Sequence, residues 1–220
     1  MATSSRVLSI AITTVALILF LRGPAQQPAT PDAVRAVFRS YKEAVLKGDG
    51  RAAAATLSQR TVDWYRESQE LALHGTKTAV QQLEPLKRFQ VLAFRYRMEP
   101  ELLRKMSPSE VIGYAVEQGW MSKAALERTD IGQIKISGDR AEGTITLDGK
   151  PSDQQYDFVR EQGEWRFDQI PLLASGNAQI SAAAAQRQMT EDQLILALIE
   201  AFSHKKVGDD IWNPPGDAAK

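Results

Sequence analysis

Four short runs of alternating apolar and polar residues fill the chain from Ile131 to Leu172. Alternation of this kind predicts β-strands that have one buried face and one solvated face. Turn dipeptides separate the runs, among them Asp148-Gly149 and Gln162-Gly163, and glycine accepts the positive φ that tight hairpins need. The stretch therefore predicts an antiparallel meander of four strands, against which helices from the N-terminal half must pack.

Helix start signals precede this meander. Thr30-Pro31-Asp32 supplies an N-cap, a proline at the first helical position and an acidic first turn. Ser107 and Glu110 have the spacing of a capping box. Residues 86–98 fit a helix and also fit an alternating strand, so the pattern leaves both open. The predicted fold class is α+β, with N-terminal helices packed on a curved antiparallel sheet.

The N-terminal segment has an uncharged apolar run, Val7 to Leu21, between Arg6 and Arg22. As a helix it would span about 22 Å, short of the roughly 30 Å of a bilayer core, and this favours a cleaved signal peptide. An arginine at each end instead suits a retained anchor, because such side chains reach the interface. We favour a single-pass anchor through residues 7–21. In both cases the body is exported to an extracytoplasmic compartment such as the periplasm.

The remaining chain divides by composition into one domain and its appendages. The predicted organisation is a signal or anchor segment at 1–25, a linker at 26–30, an α+β domain at 31–173, an Ala/Gln-rich linker at 174–189, an amphipathic helix at 190–208 and a disordered tail at 209–220. The C-terminal helix has its own apolar stripe. It could dock on its own domain or enter a groove of a partner, and we favour docking.

Composition excludes several classes of function. Basic and acidic residues balance at 27 each, which gives no electrostatic basis for binding nucleic acid. The chain has no cysteine, so disulfides, thiolate nucleophiles and sulfur-based metal sites are excluded. His74 precedes Gly75 at a predicted helix end, where an imidazole is ordinary. We predict no metal site and no cofactor.

The stretch from Val34 to Ser58 resembles the opening of NTF2-like domains, and the hairpin from Phe158 to Asp168 is similar to their last two strands. The resemblance covers residues 31–173. Within the stretch from Val34 to Ser58, the resemblance rests on Tyr41, Ala44-Val45, Gly48-Asp49 and the alanine run to Leu57. It implies a cone of helices wrapped by a curved sheet, often with an apolar pocket at the open end. It transfers no catalytic residue, because the superfamily's enzymes place different groups in that cone.

Asp63 is a weak catalytic candidate. A carboxyl group inside an apolar cone would have a raised pKa and could move protons, although we favour a solvated acid near a helix start. Asp168 is interpreted as pointing to the polar face of its strand, paired with a strand neighbour. Arg95 and its basic neighbours are interpreted as a solvated face. Aromatic residues that could line a pocket, or fill the core instead, are Trp64, Tyr65, Tyr114, Trp120, Trp165 and Phe167.

Two functions follow as expectations. The first is a membrane-tethered or exported NTF2-like domain with a non-catalytic role in binding or assembly, whose partner is another protein or a second copy of the chain. The alternative is a small-molecule isomerase, dehydratase or hydrolase of the same fold that uses Asp63. A cone filled by its own side chains favours the first function, and a buried carboxylate that opens to a dry cavity favours the second.

Overall fold

The computed structural model describes residues 28–203 and 206–215. The predicted signal or anchor segment, residues 1–25, lies outside the described residues, and so do residues 216–220 of the predicted tail. Within these two described ranges, no helix has both the length and the apolar character needed to cross a membrane.

Eight helices precede the sheet in the described part of the chain. They are α1 (Pro31–Lys47), α2 (Gly50–Ala55), α3 (Gln59–His74), α4 (Lys77–Gln81), α5 (Pro85–Arg97), α6 (Pro100–Lys105), α7 (Pro108–Glu117) and α8 (Lys123–Arg128). The Thr30 side chain accepts a hydrogen bond from the Ala33 N–H at the start of α1, and Gly48 ends that helix with a φ of 75°. Residues 86–97 are helical, which settles the question that the sequence pattern left open.

The sheet has four strands: β1 (Thr129–Ser137), β2 (Arg140–Leu147), β3 (Lys150–Glu161) and β4 (Glu164–Asp168). The order is β1-β2-β3-β4 and every neighbouring pair is antiparallel, so the predicted meander is confirmed. Two hairpin turns have positive φ at both central residues: Asp148 and Gly149 (49° and 77°), and Gln162 and Gly163 (51° and 85°).

β4 also joins the sheet to the segment between α2 and α3. The Phe167 N–H donates to the Thr56 carbonyl at 2.8 Å, and the Ser58 N–H donates to the Phe167 carbonyl at 2.9 Å. These two bonds form a short parallel bridge between Leu57 and Phe167. The start of α3 is therefore fixed against the end of β4.

Five aromatic side chains pack between α1 and the sheet. The Phe167 ring lies 5.0 Å from Tyr41, 5.2 Å from Tyr156, 5.4 Å from Phe158 and 6.1 Å from Phe38, measured between ring centroids. All five are at most 6% exposed. We call them the aromatic cluster. Edge-to-face and offset contacts at these distances are favourable, and the rings occupy the space between the helix and the sheet.

The prediction of a linker at 174–189 is wrong, because α9 (Ile170–Gln186) covers most of that range. The alanines of α9 favour a helix, because alanine has the highest helix propensity. Only one residue of α9, Ala184, is buried. The helix therefore lacks the apolar stripe that would have indicated it in the sequence.

α10 (Glu191–Ser203) follows and packs on α5. Leu194, Ile195 and Ile199 are at most 2% exposed, so the predicted amphipathic helix docks on its own domain.

The prediction of disorder for the tail is wrong over residues 209–212. Asp209–Trp212 forms a 3₁₀ helix after α10, and its last two side chains, Ile211 and Trp212, are buried at 7% and 4% exposure. The partner that holds this segment, Arg95, lies more than a hundred residues earlier in the chain, so local composition gave no indication of the contact.

We predict that Phe167→Ala lowers the free energy of unfolding by about 3–5 kcal/mol, because it removes the ring that the other four rings contact. Leu147→Ala is the matched control on the same sheet, since Leu147 is 44% exposed, and it should cost less than about 1 kcal/mol. Urea unfolding followed by circular dichroism measures both values. Equal losses in the two variants would contradict the importance of the aromatic cluster.

Candidate functional site

The polar groups beside the aromatic cluster bond to other protein groups. The Gln169 side-chain amide donates to the Tyr41 hydroxyl at 2.9 Å, and that hydroxyl donates to the Met121 sulfur at 3.3 Å. Burial raises the pKa of Tyr41 above its ordinary value and raises the pKa of Tyr65 to about 12. The interior next to the sheet is therefore a packed and dehydrated region.

Asp168 lies in a different environment from the one predicted. It is 2% exposed, and its partners belong to α3 rather than to a strand neighbour. The Ser58 hydroxyl donates to one carboxylate oxygen at 3.1 Å, and the Arg60 guanidinium donates to the other at 2.9 Å. The Ile170 N–H adds a third bond at 3.2 Å. A carboxylate at the N-terminus of α3 is also favoured by the helix dipole, so Asp168 ties β4 to α3.

Asp63 lies on α3 in a partly exposed ion pair. Its carboxylate is 2.9 Å from the Arg66 guanidinium and accepts a hydrogen bond from the Gln59 side chain at 2.8 Å. The structure thus places Asp63 in the environment of a solvated helix acid, with partners on its own helix.

The six predicted pocket residues separate into two groups. Trp165 and Phe167 are each 1% exposed and Tyr65 is 6% exposed, so these three belong to the core. The others are half-buried: Trp64 and Tyr114 line separate clefts at the surface, and Trp120 packs edge-on against Tyr114 with their ring centroids 5.8 Å apart. The structure therefore does not bring the six together around one pocket.

A groove between α2 and α7 is the largest concavity among the clefts described here, with a volume of about 640 Å³. We call it the α2–α7 groove. Its lining residues are Arg51, Ala54 and Ala55 from α2, Met106 and Ser107 from the turn before α7, and Ser109, Glu110, Gly113, Tyr114 and Glu117 from α7. Small residues form the floor, and charged residues lie at the rim.

Two glycines create this groove. A Cβ atom built on Gly50 would lie 2.1 Å from the Gly113 carbonyl oxygen, so the backbones of α2 and α7 are in direct contact there. Only glycine allows two helices to approach so closely. Gly113 and Ala54 line the groove beside this contact.

The rim of the groove holds charges of both signs. The Ser107 N–H donates to the Glu110 carboxylate at 2.7 Å, and this capping-box bond lowers the pKa of Glu110. Arg51 faces the groove from α2, and Glu117 faces it from the last turn of α7. Anionic and cationic partner groups can both be recognised at this rim.

A second cleft, of about 550 Å³, continues the groove toward the β3–β4 hairpin. Both clefts have Ala54 and Ser109 in their linings, so they share a boundary. Glu161 and Arg166 provide the polar groups at the far end. The two clefts together form a continuous surface depression that an extended segment could follow.

The α2–α7 groove was not predicted from the sequence, although a signal was present. Gly113 interrupts the apolar run of α7, and glycine inside a helix costs about 1 kcal/mol relative to alanine. Such a residue usually marks a close approach of another backbone. The small residues of α2, between Gly50 and Ala55, also indicate a close approach of another backbone.

No family model, curated protein or solved structure matches the chain. Within residues 28–203 and 206–215, no group of three or more His, Asp and Glu residues is placed to hold a metal ion. His74 is exposed at the end of α3, 3.9 Å from the Glu70 carboxylate.

We expect Asp168→Ala to lower the free energy of unfolding by about 2–4 kcal/mol, since the buried Ser58 hydroxyl and the half-exposed Arg60 guanidinium lose a charged acceptor. Asp63→Ala is the matched control on the exposed side of α3 and should cost at most about 1 kcal/mol. Thermal and urea unfolding of both variants test this difference. A loss from Asp63→Ala as large as that from Asp168→Ala would contradict these assignments.

Proposed function

We propose that this protein is an exported, membrane-tethered NTF2-like domain with a non-catalytic role in binding or assembly, and that its partner is another protein. The single observation that supports a binding role is the aromatic cluster. In the NTF2-like domains that the sequence resembles, ligands enter the space between the helices and the sheet. In this chain Phe167 and four other rings fill that space. Recognition then has to take place on the outer surface.

The α2–α7 groove is the surface site that we propose for the partner. Its volume of about 640 Å³ makes it the larger of the two adjoining clefts. Its floor of small residues permits close approach of a backbone, and its rim offers Arg51 and Glu110 for charged or polar groups. Because the depression continues toward Arg166, an extended protein segment matches it better than a compact small molecule does.

The tether is proposed from the sequence alone. The apolar run of residues 7–21 between two arginines would hold the domain at the outer side of a membrane. Trp165 donates a hydrogen bond to the Pro28 carbonyl at 3.2 Å, so Pro28, within the predicted linker, is bound directly to the domain. The tethered domain would then bind its partner within the cell envelope.

The enzymatic alternative has less support. It requires a carboxylate that opens to a dry cavity, whereas the Asp63 carboxylate pairs with Arg66 and with Gln59 on the exposed part of α3. Asp168 is buried, but the donors that surround it occupy its oxygen atoms.

Photocrosslinking in intact cells tests the binding role. The full chain receives a benzophenone amino acid at Ala55, which is exposed in the α2–α7 groove, or at Ala124, an exposed alanine of α8 that serves as the matched control. We expect a discrete protein adduct from position 55 in the envelope fraction and none from position 124. Adding Ser109→Trp, which fills the boundary shared by the two clefts, should reduce that adduct several-fold.

Two labelling results would contradict the proposed site. One is equal labelling from positions 55 and 124. The other is an adduct from position 55 that Ser109→Trp leaves unchanged while the variant remains folded by circular dichroism. Identification of the adduct as a second copy of this chain, rather than another protein, would also overturn the choice of partner.

A further inference from the structure

Two buried side chains anchor the segment after α10, and the Val207 N–H also donates to the Glu200 carboxylate at 2.9 Å. Ile211 and Trp212 are buried, whereas Asp209, Asp210 and Asn213 around them are exposed. The 3₁₀ helix that contains them is four residues long and has no side-chain cap. A pair of buried anchors between exposed polar residues is the pattern of a short peptide bound in a groove, and differs from the continuous apolar stripe of a core helix.

Arg95 of α5 binds the backbone of this segment. One guanidinium nitrogen donates to the Trp212 carbonyl at 2.7 Å and to the Ile211 carbonyl at 3.2 Å. The prediction that Arg95 belongs to a solvated face is therefore wrong. Removal from water lowers its pKa to about 10, and a desolvated guanidinium needs acceptors on all sides.

The remaining donors of Arg95 bind the end of α3. Its other two nitrogens donate to the Ala72 and Leu71 carbonyls, each at 2.9 Å, and also to the Gly75 carbonyl. These carbonyls lie at the C-terminus of α3, where a cation is favoured, and the Leu71 carbonyl also accepts the Gly75 N–H at 2.8 Å. These contacts do not involve the tail, so we expect Arg95 to keep its position when the tail is absent. We call Arg95 and these three carbonyl residues the Arg95 socket.

We infer that the Arg95 socket is a peptide-binding site and that residues 206–215 are its occupant within the same chain. The socket recognises a short segment with an aliphatic–Trp pair, since Arg95 bonds the two carbonyls of that pair and the domain core takes the two side chains. The segment can leave and be replaced by an equivalent peptide. This site shares no residue with the α2–α7 groove, and the inference does not depend on the proposed function.

The preformed half of the site explains why replacement is feasible. An ordered guanidinium reduces the entropic cost of binding a peptide backbone. The tail has the advantage of attachment, since a short tether gives an effective concentration in the millimolar range. A free peptide must therefore reach millimolar concentration to compete with the tail in the intact chain, or must meet a chain whose own tail lacks the anchors.

The first experiment uses the full chain with Ile211→Ala and Trp212→Ala and a fluorescein-labelled peptide of residues 206–215. The matched control is the full chain with Asn213→Ala, which changes an exposed residue of the same segment. We expect the double variant to bind the peptide at least tenfold more tightly than the wild type or the control does. Adding Arg95→Gln to the double variant should abolish the gain.

A folded double variant that binds no better than the wild type would overturn the inference. If the double variant does not fold, hydrogen exchange on the wild-type chain decides. Millimolar peptide should accelerate exchange of the amides of residues 209–213, and the same peptide with Trp212→Ala should not. Unchanged exchange in the presence of the peptide would also overturn the inference.

Discussion

The packing of Phe167 against four other aromatic rings is the contact on which the rest of this structure depends. β4 is only five residues long, so its position is set by what its inward face contacts rather than by strand length. Phe38 and Tyr41 provide that contact from α1, and Tyr156 and Phe158 provide it from β3. One cluster thus joins the first helix to the last two strands and fills the space between them.

This packing also determines the position of α3. Backbone bonds on both sides of Phe167 fix the segment from Thr56 to Ser58 beside β4, and Asp168 then accepts bonds from the first residues of α3. α2 precedes that fixed segment and meets α7 at a pair of glycines. The α2–α7 groove, which we propose as the binding site, therefore lies on a frame that the buried cluster holds in place.

The strands and the main helices could be predicted because their signals are local: alternation, hairpin glycines, and caps such as Thr30 and Ser107. The burial of Asp168 against α3 could not be predicted. Strand alternation places its side chain on a polar face and gives no indication that α3 covers that face. α9 was missed since its alanines bury little area. The tail was missed because its partner is distant in sequence. The groove depends on Gly113, whose signal was present but weak.

Crystals pressurised with xenon probe this packing, since xenon enters empty apolar cavities in proteins. We expect no xenon atom among Phe38, Tyr41, Tyr156, Phe158 and Phe167, because these side chains fill the space between α1 and the sheet. A xenon atom bound at that position, with the rings displaced around it, would show that the side chains leave this space unfilled. The space between α1 and the sheet would then be a candidate ligand site.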